Sequence, residues 1–95
     1  MESGAFKFEW ATAKAAINVA KHGVAFEEAA TVFNDLLAGA ALDREHSLEE
    51  ERLLTIGLSR KGRILLVSHT ERGRVVRIIS AREATRAERE KYERG

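Results

Sequence analysis

The 95-residue sequence contains no cysteine and no proline, and it has one methionine, one tryptophan and one tyrosine. Without cysteine there is no disulfide framework, no zinc–thiolate centre and no thiol nucleophile, and the default expectation is a cytosolic protein. Without proline, no helix can open on the residue that most often marks a first helical position. No apolar run approaches the length of a membrane span, and the opening stretch MESGAFKFEW lacks the apolar core of a signal peptide. Also missing are a glycine-rich phosphate loop, HExxH, GxSxG and any Cys–His pair, which removes the familiar catalytic constellations. Internal repeats, low-complexity segments and linkers are absent too, so residues 1–95 are expected to form a single domain.

What is there is an ordinary globular composition, 44% hydrophobic and 33% charged, long enough for one modest core. The net charge of +1 conceals an asymmetry. Residues 1–59 carry five Lys/Arg against ten Asp/Glu, whereas residues 60–95 carry eleven against five. A basic C-terminal half implies an anionic partner. Nucleic acid is the commonest, and an acidic protein surface satisfies the same charge.

Taken in order, Phe6-Lys7-Phe8-Glu9-Trp10 alternates with the period of a strand, Phe6, Phe8 and Trp10 sharing one face. Ala13, Ala16, Ile17 and Ala20 then fall at helical spacing and predict the buried face of a first helix, with Lys14, Asn18 and Lys21 on a separate polar stripe. His22-Gly23 ends that helix: the glycine suits a left-handed cap, and the histidine complements the helix dipole. Phe26, Ala29, Ala30 and Phe33 predict a second helix, with Glu27 and Glu28 in its first turn and Asn34-Asp35 as its break. The short link makes the two a hairpin across one face of a sheet.

Leu36 to Leu42 reads as a strand despite its glycine and alanines. Asp43 to Glu51 reads as a polar, acidic loop. It carries His46 among carboxylates, but without metal-ligand spacing. Three strands follow in a meander, Arg52 to Leu58, Arg63 to Thr70 and the run Val75 to Ile79, joined through Gly62 and Gly73.

The stretch from Arg72 to Gly95 is the one best suited to act. Arg77 interrupts the apolar strand, and Arg82 is expected just past its end, so both guanidinium groups sit on rigid backbone. A planar fork that never deprotonates suits phosphate. The plain alternative is that Arg77 only faces water. The tail from Ala84 to Arg94 predicts a helix, with Thr85 and Glu88 spaced for a capping box. Its few apolar residues imply that it frays or docks on something outside the chain.

Basic side chains, His and Tyr on such a scaffold suit RNA cleavage without a metal. A base takes the 2′-hydroxyl proton, the oxygen attacks the neighbouring phosphate, arginines stabilise the transition state and an acid protonates the leaving 5′-oxygen.

Three parts of the sequence carry a resemblance. They are FEWATAKAAINVAKHGVAFEEAATVF; the spaced Asp43, His46, Glu50 and Arg52 before LTIG; and HTERGRVVRIISAREATRAEREKYE. Together they resemble the BrnT family, the ribonuclease toxins of type II toxin–antitoxin pairs, over nearly the whole chain. The resemblance implies an α+β, RelE-like fold: an N-terminal strand, two helices, an antiparallel sheet and a C-terminal helix. It implies cytoplasmic cleavage of RNA that inhibits translation. It also implies a ribbon-helix-helix antitoxin partner, through which the complex reaches operator DNA, and no cofactor.

Residue by residue, Arg77 and Arg82 correspond to phosphate-binding and charge-stabilising positions. Arg52 is a further basic position, Lys21 a cationic contact or proton donor, and Glu50 a possible base. Trp10, His22, His46 and Tyr92 are expected to contact substrate, Trp10 by stacking on a base unless it is a core aromatic. The chain departs from the family at Trp10-Ala11-Thr12, where an acidic cap and a proline are usual; Thr12 is left to cap the helix. A different class of function fits the same basic surface: a toxin-like binding module without catalysis, acting in a DNA-bound regulatory complex. A purely structural interaction domain, its arginines serving solubility, is the third reading.

Overall fold

The computed structural model of the protein describes residues 2–3, 6–47 and 50–95. Residues 48 and 49 of the expected acidic loop lie outside them. Strand β1 (Glu2–Ser3) is followed by β2 (Phe6–Glu9), helix α1 (Thr12–His22) and helix α2 (Phe26–Ala30). Helix α2 tightens into a 3₁₀ turn over Thr31–Asn34. Next come β3 (Gly39–Leu42), a 3₁₀ turn over Arg44–His46, β4 (Leu53–Leu58), β5 (Ile64–Arg72), β6 (Val75–Glu83) and helix α3 (Arg86–Arg94). The six strands form one sheet in the order β1-β2-β6-β5-β4-β3. This is the α+β arrangement expected. None of the described helices is long and apolar enough to cross a membrane.

Strands β4 to β6 form the antiparallel meander that the turn residues predict, and β3 adds to it antiparallel along β4. Gly62 and Gly73 take positive φ at the two hairpins, 82° and 60°, a conformation that costs glycine nothing. Strand β2 joins the far side of β6 in parallel, Lys7, Phe8 and Glu9 opposite Val75, Val76 and Arg77. One sheet face meets the helices. Phe26, Leu65, Val67, Val76 and Ile78 are wholly or almost wholly buried there, each contributing about 1.5–3 kcal/mol by removal from water. Phe33 bridges to this core, its ring 5.3 Å from that of Phe8 and 4.9 Å, edge-on, from His69. Gly57 lets β4 run beneath the 3₁₀ turn: a Cβ there would stand 2.8 Å from Val32 Cγ1.

Several expectations change. The predicted apolar face of α1 points outward: Ile17 is 63% exposed, and Ala13, Ala16 and Ala20 are exposed with it. Asn18 turns inward instead. Three alanines gain little from burial, whereas the backbone of β6 beyond β2 needs partners, and Asn18 supplies them. Strand β6 does not stop at Ile79 but runs to Glu83, so Arg82 lies within it. The pairing passes from Ser68–Ser80 to His69–Ile78, leaving Ile79 as the extra residue of a bulge. Of the segment Leu36 to Leu42 only Gly39–Leu42 is strand. Leu36 and Leu37 stand exposed on a turn that Asp35 secures by accepting from the Leu37 N–H.

Thr12 is the first residue of α1 rather than its cap; Ala11 holds the cap position without a side-chain bond. Gly23 closes the helix in the left-handed conformation, as its position beside His22 predicts. Thr85 and Glu88 form both halves of the capping box. The tail helix docks on the chain itself through polar contacts at its two ends, Arg82 with Glu88 and Tyr92 with Asp35.

Candidate active site

The sheet face away from α2 carries an open groove of about 670 Å³. Its floor is cross-strand: Leu54 opposite Ser68, Ser68 opposite Ser80, and Leu66 opposite Arg82. Side chains alternate along a strand, so as Leu65, Val67 and Ala81 fill the core, Leu66, Ser68 and Arg82 point into the groove. One wall is the end of α1 at His22, and the other is the 3₁₀ turn with Asp43 and His46, joined by Arg52. A second hollow continues from the first and shares His46 and Arg52 with it; Lys14, Glu50, Thr70, Arg77 and Ile79 complete its lining. Lys14, Lys21 and His22 border a third, shallower one along α1.

The expected site residues thus divide into three groups. His22, His46, Arg52 and Arg82 share the main groove. Glu50 and Arg77 lie at its extension, and Lys21 borders the shallow hollow next to His22. Trp10 and Tyr92 lie elsewhere. Trp10 packs edge-on against Phe26 with ring centroids 5.9 Å apart. The Tyr92 hydroxyl donates to Asp35 Oδ2, a bond that pushes the phenol up to about 12. Arg77 and Arg82 are five residues apart on one strand, about 15 Å by strand rise, so they address opposite ends of the groove.

The carboxylates nearby are committed to particular cations. Glu9 Oε2 accepts from Arg77 at 2.9 Å, and Glu50 Oε2 from Arg72 at 2.7 Å. Glu88 binds Arg82 through both oxygens, at 2.8 and 3.0 Å. The Arg82 guanidinium holds the Glu88 carboxyl at about 2. Among the described residues the Arg52 guanidinium has no carboxylate partner. His46 is the one groove imidazole with a carboxylate beside it: Nδ1 lies 2.9 Å from Asp43 Oδ2. With Nδ1–H donating to Asp43, Nε2 is left as a proton acceptor.

Three residues that build this site were named from the sequence but given no role in it. Asp43 precedes His46 by three positions, the spacing that brings two side chains together on one 3₁₀ turn. Lys14 lies on the same stripe as Lys21, but nothing in the sequence shows that the stripe borders a groove. Asn18, between them, is 5% exposed and makes three hydrogen bonds. The helical pattern of alanines pointed to the opposite face.

A family described as "Ribonuclease toxin, BrnT, of type II toxin-antitoxin system" matches residues 10–88. Among solved structures, the chain is similar to the 1.1 Å crystal structure of the Brucella abortus ribonuclease toxin, BrnT. The TM-score is 0.61 at 25% sequence identity, over 85% of this chain and 99% of that one. No curated protein matches it in sequence.

Proposed function

The chain belongs to the BrnT family of ribonuclease toxins of type II toxin–antitoxin systems, and from that premise we propose that it is a metal-independent endoribonuclease acting through the His46–Arg52–Arg82 groove. The observation that carries the reading is the pairing of His46 with Asp43 at 2.9 Å in the same groove as two arginines. Held by Asp43, His46 takes the proton of a 2′-hydroxyl at Nε2, and the freed oxygen attacks the adjacent phosphorus. Arg52 and Arg82 stabilise the charge that builds on the phosphoryl oxygens. His22, in its protonated form on the opposite wall, gives its proton to the 5′-oxygen as the P–O5′ bond breaks. The products are a 2′,3′-cyclic phosphate and a 5′-hydroxyl.

Arg77, about 15 Å along the strand, binds a neighbouring phosphate of the same RNA, with Lys14 and Lys21 as further contacts. Glu50, engaged with Arg72, fits the base role less well than His46. Trp10 and Tyr92 serve the fold in this scheme rather than the substrate. The whole activity resides in one domain over residues 1–95. In the cell the protein cuts RNA in the cytoplasm and so inhibits translation, until a small ribbon-helix-helix antitoxin covers it. Operator DNA is reached only through that antitoxin.

The test is cleavage of RNA by the purified chain in excess EDTA, with product ends read by mass spectrometry. His46→Gln and an Arg77→Ala/Arg82→Ala double variant run alongside. Cyclic-phosphate ends from the wild type, lost in both variants, are the expected result. Intact RNA in every lane, from folded protein, would favour the non-catalytic binding module. That module draws its own support from two groove-side arginines, Arg77 and Arg82, already neutralised by Glu9 and Glu88.

A further inference from the structure

Arg82 is held in an unusual way for a residue expected to bind a phosphate. A guanidinium has five N–H donors, two on each Nη and one on Nε. In this chain Nη1 donates to Glu88 Oε1 at 2.8 Å and to the Glu83 carbonyl at 3.2 Å, while Nη2 donates to Glu88 Oε2 at 3.0 Å. Those bonds use the end-on fork. The Nε–H and the second Nη2–H, which together make the side-on fork, have no acceptor among the described residues, and Arg82 lines the groove. Glu88 is itself fixed from behind. Its Oε1 also accepts from the Thr85 N–H at 2.9 Å, and its own N–H donates to Thr85 Oγ1 at 3.2 Å. The capping box therefore serves as a rigid mount for the carboxylate, and through it for the guanidinium.

We propose that Glu88 is the positioning residue of the phosphate site, gripping one fork of Arg82 so that the other is presented to an RNA phosphate. The proposal rests on the reading of Arg82 as a phosphate ligand. It gives the C-terminal helix, which buries none of its residues, a role in the chemistry. A bidentate carboxylate fixes the guanidinium plane. A phosphate that meets a fixed plane needs no reordering of a long, flexible side chain, and the preorganised donors act fully in the transition state.

The experiment is a double-mutant cycle on Glu88 and Arg82. Steady-state cleavage of single-stranded RNA of mixed sequence is the activity readout, and binding of the same strand with 2′-deoxy sugars, which cannot be cleaved, is the affinity readout. Glu88→Ala is expected to lower kcat by roughly 10- to 100-fold, the size of a misplacement of a catalytic group by about 1 Å. KM should move far less, since Arg52, Arg77 and the lysines still hold the strand. In the Arg82→Ala background the same change should cost less than about twofold, because nothing is left for Glu88 to position. Glu90→Ala serves as a control: it removes the exposed Arg86–Glu90 pair of the same helix and weakens that helix, but leaves turnover unchanged.

Three results would overturn the proposal. One is a gain in activity or RNA affinity in Glu88→Ala, which would make Glu88 a competitor of the phosphate. Another is an undiminished Glu88→Ala loss in the Arg82→Ala background, or the same loss in Glu90→Ala, which would make its role the stability of the helix. The third is a harmful Arg82→Ala with a harmless Glu88→Ala. If Arg82→Ala itself left cleavage intact, the parent reading of the groove would fall as well.

Discussion

Asn18 and Ala81, 63 residues apart, are joined by two hydrogen bonds in opposite senses. The Asn18 amide nitrogen donates to the Ala81 carbonyl at 2.8 Å, and its oxygen accepts from the Ala81 N–H at 3.1 Å. The side chain takes the place of a missing strand, for β2 pairs with β6 only as far as Arg77. It also donates to the Val24 carbonyl at 2.9 Å, so one residue ties the helix carrying Lys14, Lys21 and His22 to the strand carrying Arg77 and Arg82.

Replacing Asn18 with leucine should destabilise the protein by about 2–4 kcal/mol, because two buried backbone groups of Ala81 lose their partners. Urea unfolding at neutral pH measures this. A loss below about 1 kcal/mol would mean that water reaches the strand edge and replaces the amide.

The fold was largely legible in the chain and the site only partly so, for physical reasons that differ residue by residue. The strands from Leu53 onward announce themselves by dense apolar runs between glycine turns, and these are set by local chemistry. The orientation of α1 is not: its alanines make a pattern that carries little burial energy, and the deciding contact comes from a strand edge far along the sequence. Arg77 and Arg82 drew attention because charged residues beside an apolar strand stand out. Asp43 was noted only as part of the family pattern and given no role, because one aspartate among many acidic residues becomes specific only when a turn sets it against His46.

His69 gives the stability a pH dependence of known sign. It is 1% exposed, with Nε2 2.7 Å from Thr55 Oγ1 and Nδ1 without a hydrogen bond, 4.0 Å from Glu71 Oε2, and burial pushes it down to about 4. The unfolded chain takes up a proton near the ordinary value of 6.5 while the folded one does not. Stability is therefore complete above about 6.5 and falls as the pH drops towards 4, by at most about 1.4 kcal/mol per pH unit. Urea midpoints between pH 7 and 4.5 should show this slope, and His69→Phe should flatten it. An unchanged slope in that variant would assign it to other groups.

Arg63 and Glu28 form the most buried ion pair among the described residues. The Glu28 side chain is 2% exposed; it receives Arg63 Nε at 3.0 Å and the Ser59 hydroxyl at 2.7 Å, and the Arg63 bond holds its carboxyl below the usual range. Arg63→Met should cost about 3–5 kcal/mol by leaving a carboxylate buried without its cation, and a second change, Glu28→Met, should recover much of that. Chemical denaturation of the single and double variants checks both. If the double variant were no better than the single, the cost would lie in the lost packing of Arg63 instead.

Asp43→Asn should lower the cleavage rate without unfolding the 3₁₀ turn, since it removes only the charge behind His46. A decrease of roughly 10- to 100-fold is expected if His46 is the base, within the roughly 10²–10⁴ that a positioned general base contributes. Single-turnover cleavage decides it. Asp43→Asn added to His46→Gln should change nothing further.

The pairing of β2 with β6 makes two distant stretches of the chain interdependent in time. Phe8 stands opposite Val76, so β2, with only the two-residue β1 on its other side, has no place in the main sheet until β6 has been made. At about 5–20 residues per second, that wait is several seconds. Throughout it, the chain has neither a closed core nor the strand that carries Arg77 and Arg82. A product stalled before β6 therefore lacks both a closed core and the two arginines that the proposed cleavage needs.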